Sequence, residues 1–287
     1  GGDEDLPLAA QALFAKDERA KFADAETLQT VYLRKATRKL DKMLGAMRRN
    51  ILGGIRKKAQ MENVVREMMG TDTGDAAARE MGEALASVFE DQRLAFNRMG
   101  GSIGKLEGGY FPVTHDMMAV RSVSKDEWIQ FMMGTERAGG RDVSAPTKEA
   151  RPGLIDVENM IDNETGLPFT PQKLEIALSN MYDAITSNNA TRSKPGGFGG
   201  NGSLASQRAD HRFIKWKNAD AFLEYNNQFG GKELFDVAIG HIHSMSRDLA
   251  LLERFGPNPA TTKRYLQQYL DREAGLRKDE KFADEVS

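Results

Sequence analysis

Apolar side chains recur at three- and four-residue steps through most of this chain, the spacing of one face of an α-helix, while alternating runs that would mark strands are short and few. Between Leu6 and about Met69 that period is traced by Leu28, Val31, Tyr32 and Lys35, then by Leu40, Met43, Leu44 and Met47, with no proline after Pro7. One or two long helices are expected there, kinked at Gly53-Gly54, because each glycine weakens a helix by about 1 kcal/mol. The turn GTDTGD, Gly70 to Asp75, supplies a C-terminal glycine and then capping Thr and Asp residues. A second helix should follow from about Ala76 to Asn97 and form a hairpin with the first, along the stripe Met81, Leu85, Val88 and Phe89.

The period stops between Met99 and Ser122, where glycines and a Tyr-Phe-Pro run predict an ordered connector with brief extended pieces. Ser124 and Glu127 stand at capping-box spacing and predict a helix from about Lys125 to Met133. Gly134 to Gly153 reads as an exposed linker and Leu154 to Ile161 as a short helix. Thr170-Pro171 places a capping residue before a proline at the first helical position, so a helix should run from Pro171 to Thr186. Ser187 to Ser203 is expected to be a mobile loop, since it has too little apolar surface to offset the entropy of ordering. Beyond Leu204 the helical pattern returns. A short helix ends at the FGG of 229–231, a long one runs from about Glu233 to Phe255 with Leu249, Leu252 and Phe255 in the core, and GPNP at 256–259 separates it from a last helix over Ala260 to Ala274. The pattern predicts an all-α, elongated multi-helix assembly with long ordered connectors and little or no β. It falls into a long basic helical hairpin region over 1–98, a connector and short-helix region over 99–203, and a C-terminal helical region over 204–287.

Composition sharpens this in three ways. Over 287 residues the net charge is -2, which supplies no global drive toward nucleic acid or an anionic membrane, so any such contact must be local. The absence of cysteine removes disulfides, thiol nucleophiles and thiolate metal sites, and fits folding in a reducing cytosol. No stretch approaches the roughly 20 apolar residues of a membrane-spanning helix, and the acidic start is the opposite of a signal peptide, so a soluble protein is expected. The start at Gly1 in place of Met points to a piece of a longer polypeptide.

Few residues carry candidate chemistry. From Arg34 to Arg66 the chain is strongly basic, opposed only by Asp41 and Glu62. Lys35, Arg38, Lys39, Lys42, Arg48, Arg49, Arg56, Lys57 and Lys58 are the candidate contacts to phosphates or to an acidic partner, against the plainer reading of a solvated helix surface. Gly197 to Gly202 matches a dinucleotide-binding glycine pattern but follows a polar stretch rather than a strand, and GSIGKL at 101–106 has Met99 and Leu106 where a phosphate-binding loop needs glycine and a hydroxyl. His241 and His243, at i and i+2 on a helix, point about 200° apart and cannot hold one metal. No metal or other cofactor is expected. An acid/base site would have to be assembled from Glu107, His115, Asp116 and His211, none of which the sequence brings together. Trp128, Phe213, Trp216, Phe222, Tyr225 and Phe229 could stack on bases, but their spacing fits core packing better.

Two stretches resemble the very large virion-associated proteins of tailed bacteriophages, the internal virion, ejection or large polyvalent proteins. FNRMGGSIGKLEGGYFPVTHD, Phe96 to Asp116, is similar to a pattern there of an Asn-bearing helix end, a Gly-Gly-x-Ile turn and a Tyr-x-Pro-x-x-His-Asp segment. HRFIKWKNADAFLEYNNQFG with MSRDLALLERFGPNP is similar to a His-Arg-aromatic, Ala-Asp, Tyr, Phe-Gly and Gly-Pro-Asn-Pro pattern. The resemblance spans about residues 96 to 260, and no catalytic role in that family carries onto His115, Asp116, His211 or Asn258. It implies a structural, non-enzymatic module that assembles with itself or with other virion proteins, with packaged DNA as a non-specific further partner. It also implies a place in the virion after synthesis in the host cytoplasm, and a role in genome delivery. The alternatives are an enzyme domain, a cell-wall hydrolase or a nucleic-acid-modifying activity, and a weak, sequence-independent DNA-binding protein.

Overall fold

The computed structural model describes residues 23–41, 54–106, 108–134, 152–162, 165–187 and 214–262, and 264–272 except 267 and 270; over 54–57 it describes the backbone alone. Among these residues the protein is all-α, with isolated β-bridges and no strand. Helix α1, Ala25–Arg38, starts at Asp24, whose carboxylate accepts from the Thr27 amide at 2.7 Å. Helix α2, Gly54–Met68, begins at the second glycine of the expected kink. It closes on Gly70 at φ 85, with the Thr71 amide donating back to the Arg66 carbonyl. Helix α3, Ala76–Arg98, is capped by Asp75 as the sequence predicts, and all four residues of its expected stripe are buried.

Short elements follow. Asp116 caps α4, Met117–Arg121, and the Ser124–Glu127 capping box starts α5, Lys125–Met133. Thr170 and Pro171 start α6, Pro171–Thr186. Asn218 caps α7, Ala219–Phe229, and the long helix α8 spans Leu234–Phe255. Gly256 at φ 77 ends α8, and helical turns resume in the described residues from 259 onward. The mobile loop expected over Ser187 to Ser203 lies outside the described residues beyond Ser187, as does most of the linker of 134–153.

The segment 154–161 departs from expectation. It holds one 3-10 turn, Val157–Asn159, in place of a short helix. Its backbone bonds reach distant chain: the Leu154 amide donates to the Met132 carbonyl at 2.8 Å, the Asp156 amide to Lys215 at 2.8 Å, and the Lys217 amide to Leu154 at 2.9 Å. Leu154, Ile155 and Met160 are buried from several sides. Local helical spacing loses to long-range pairing because the paired form satisfies the same backbone groups while burying more apolar surface.

Three apolar clusters hold the fold. The first unites α1, α2 and α3 with Phe111 and with the first turns of α7 and α8. The second gathers α5, α6, the 154–160 segment and the outer face of α7 around Trp128 and Tyr225. The third seats Phe96 and Ile103 against Met245, Leu249 and Leu252 of α8, with Tyr32 laid over it. Each such side chain, fully buried, contributes about 1.5–3 kcal/mol. Aromatic rings join the first two clusters: Trp128 packs edge-on to Tyr225 at 6.2 Å, Tyr225 on Trp216 at 5.1 Å, Trp216 on Phe222 at 5.8 Å, Phe222 on Phe111 at 5.6 Å and Phe111 on Phe89 at 6.4 Å.

The inner face of α1 differs from the expected one. Tyr32, Leu33, Ala36 and Leu40 pack inward, while Val31 is 53% exposed and Lys35 faces solvent. Leu33 and Leu40 bring more apolar area to the core than Val31 and Lys35 could. Two polar bonds fix the rotation: the Tyr32 hydroxyl donates to the Glu253 carboxylate, and Lys39 Nζ reaches Asp91 at 2.5 Å and Ser87 at 2.9 Å on α3.

Candidate functional site

Among the described residues, His115 and Asp116 lie in a clasp between the 113–116 segment and the end of α7. Here the Asp116 amide donates to the Phe229 carbonyl at 2.8 Å, the Gly231 amide to the Thr114 carbonyl at 3.1 Å, and His115 bridges to Gly230. The chains approach so closely that a Cβ on Gly231 would lie 2.7 Å from the His115 carbonyl oxygen, which explains the second glycine of FGG. Inside the clasp the hydroxyl of Tyr225 lies 2.8 Å from His115 Nδ1. Burial raises the tyrosine pKa, with the Trp128 indole opposing, so the hydroxyl keeps its proton and can donate it to an unprotonated Nδ1. Thr114 and Asn226, next in the chain to this pair, and Trp128, packed on Tyr225, each hold a buried atom without a hydrogen-bond partner of good geometry among the described residues: Thr114 Oγ1, Asn226 Oδ1 and Trp128 Nε1.

The carboxylate of Asp116 is committed elsewhere. It turns away to cap α4, accepting from the Met118 amide at 2.8 Å and the Ala119 amide at 3.1 Å. Thus the structure joins His115 to a tyrosine rather than to Asp116, and Glu107 and His211 lie outside the described residues. His241 packs edge-on to Phe89 at 4.9 Å and beside Tyr110, while His243 is exposed, so the two face apart as their spacing predicts. Among the described residues no group of His, Asp and Glu is arranged to hold a metal ion. GSIGKL is a loop whose Ile103 is buried, held by a two-way bond with Asn97: its amide donates to Asn97 Oδ1 at 2.8 Å and its carbonyl accepts from Asn97 Nδ2 at 2.9 Å. The glycine-rich 197–202 lies outside the described residues.

The basic stretch divides by partner. Lys39 pairs with Asp91, and Arg66 reaches Asp220 on α7 at 2.9 Å. Lys35, Arg38 and Lys58 are exposed. Lys42, Arg48 and Arg49 lie outside the described residues, as do the side chains of Arg56 and Lys57. At the α2–α3 turn a surface cleft is lined by Glu67, Gly70, Asp72, Arg79 and Glu83. Glu67 accepts from the Thr73 hydroxyl and amide, both at 2.7 Å, and Arg79 pairs with Glu67 and Asp72. These bonds hold both carboxyls below their ordinary pKa, Glu67 chiefly through Thr73 and Asp72 chiefly through the Gly74 amide. With Arg79 bridging Glu67 and Asp72 and Thr73 bonded to Glu67, these contacts lock the turn of the hairpin.

The aromatic row is core, as its spacing predicts: Trp128, Phe222, Tyr225 and Phe229 are buried, and Phe213 lies outside the described residues. Sequence reading did not find Tyr225 as the partner of His115, nor Asp91 and Asp220 as counter-ions. These partners lie 110, 52 and 154 residues away from the groups they bind, beyond any local spacing rule. No family model matches the chain, and no curated protein or solved structure matches it either. Among the described residues no helix is long and apolar enough to cross a membrane.

Proposed function

We propose that this chain is a structural, non-enzymatic module of a phage internal virion or ejection protein, which assembles with copies of itself or with other virion proteins and takes part in genome delivery. Its place is then the virion, after synthesis in the host cytoplasm. The observation that carries the reading is the use made of the chemistry-bearing side chains: His115 is bonded to a core tyrosine and Asp116 to a helix start. The two phage-like stretches are also in mutual contact. His115 bridges to Gly230, a Cβ on Gly100 would meet Pro257 at 3.3 Å, and Phe96 packs on Leu249 and Leu252. In this reading the shared pattern is a folding pattern.

An apolar surface favours assembly. Ile161, Leu167 and Ile176 are 47%, 65% and 60% exposed. The first two flank the Ile161–Pro168 bridge, where Asp162 is held at 2.6 Å by Lys173, one helical turn before Ile176. Such side chains, where they adjoin one another, offer an apolar surface for a protein contact. Sedimentation of the full chain over a wide concentration range should show self-association that Leu167→Lys with Ile176→Lys abolishes, the circular dichroism being unchanged. A chain that stays monomeric throughout, and is absent from purified particles of the phage that encodes it, overturns the reading.

A further inference from the structure

Fixing the rotation of α1 leaves three cations on its outer face. The side chains of Arg34, Lys35 and Arg38 are exposed, and among the described residues none of the three side chains makes a hydrogen bond or an ion pair. With Val31 they stand at i, i+3, i+4 and i+7, one stripe along the helix on the side away from Ala36 and Leu40. Arg34 and Arg38 are about 6 Å apart along the axis. The bonds from Tyr32 to Glu253 and from Lys39 to Asp91 set how this stripe is presented.

We propose that the outer stripe of α1 is a contact for the phosphate backbone of nucleic acid, weak and independent of sequence. Among the described residues no ion pair offsets the mutual repulsion of these three cations, and an external polyanion relieves it. Two of them are arginines, whose planar forks suit phosphate oxygens. A protein partner fits the face less well. Interface cores are depleted in charge and built on apolar anchors, and Val31 is the only large apolar side chain exposed on α1. A phosphate backbone needs no apolar burial, because released counterions supply the affinity. The net charge of -2 keeps long-range attraction small, so the contact is short-range and strongly salt-dependent.

This contact is independent of the assembly reading, which is tested by sedimentation without nucleic acid. The probe is a labelled duplex of random sequence, titrated with the full chain and followed by anisotropy over a range of salt. Contact with roughly three phosphates gives a slope of log K against log salt of about -2 to -3. R34Q/K35Q/R38Q should lose most of the binding and flatten that slope. K105Q/K217Q/K232Q removes three exposed lysines elsewhere and should leave most of it in place. Circular dichroism checks that both variants fold. Equal weakening in the two variants would reveal a net-charge effect and overturn the proposal. So would a duplex that does not bind even at low salt, or poly-glutamate competing as strongly as duplex.

Discussion

The Tyr225 hydroxyl lies 2.8 Å from Nδ1 of His115, and this side-chain bond joins the backbone pairing of Asp116 with Phe229 in tying the connector after α3 to α7. Tyr225→Phe keeps the ring and removes the bond. It should destabilise the protein by about 1–3 kcal/mol, because a part-buried imidazole nitrogen loses its donor. Chemical denaturation measures the effect, and an unchanged midpoint would show that the bond adds nothing.

Gly231→Ala and Gly104→Ala form a matched pair. At Gly231 the added methyl meets the backbone carbonyl of His115, whereas at Gly104 nothing lies within 4 Å. Gly231→Ala should cost about 1–3 kcal/mol, as overpacking does. Gly104→Ala should stay within about 0.5 kcal/mol of the parent, as a surface change away from such contacts does. Thermal melts of the two variants side by side test this, and equal midpoints would remove the clasp as a point of tight packing.

Leu252 is 3% exposed against Phe96 and Leu249. Leu252→Ala should destabilise by about 2–5 kcal/mol, the range for a leucine truncated in a packed core. A thermal midpoint equal to that of the parent would mean that the third cluster does not hold α8.

Acid should loosen the α2–α3 turn. Glu67 and Asp72 are held below their ordinary values of 4.5 and 3.8, so as pH falls the unfolded chain takes up their protons first. Their contribution is complete above those ordinary values and is lost as pH drops through the lower, folded ones. Stability should therefore fall with pH in the acid range, and less steeply in Thr73→Ala, which removes the hydroxyl that most lowers Glu67. Asp72 and Arg79 face solvent, so screening should keep the difference small and make it shrink with salt. Melts across that range at two salt concentrations read it, and parallel curves for the two proteins would refute it.

Where a signal was local, it was readable. Asp75, the Ser124–Glu127 pair and Thr170-Pro171 each begin a helix where their side chains predict, since a cap needs only partners two or three residues away. The core of α8 was equally plain from the spacing of Leu249, Leu252 and Phe255, all buried. Legibility ended where distant chain decides. Leu154 to Ile161 has helical spacing but pairs with 132 and 215–217, and the face α1 buries depended on helices not yet placed. At the candidate site His115 and Asp116 were visible as chemistry, but their uses were not. One is set by Tyr225 far along the chain, the other by the start of a five-residue helix.

The chain has two tryptophans, and both flank Tyr225 within the run of rings that joins the first two clusters. Tryptophan fluorescence therefore watches a single joint of the molecule and carries no signal from within the α2–α3 hairpin, whose helices contribute to the far-ultraviolet circular dichroism with all the others. Transitions that coincide by the two methods would mean that the rings transmit unfolding from one cluster to the other. A fluorescence change lagging behind the loss of helix would identify the joint as the last part of the protein to let go.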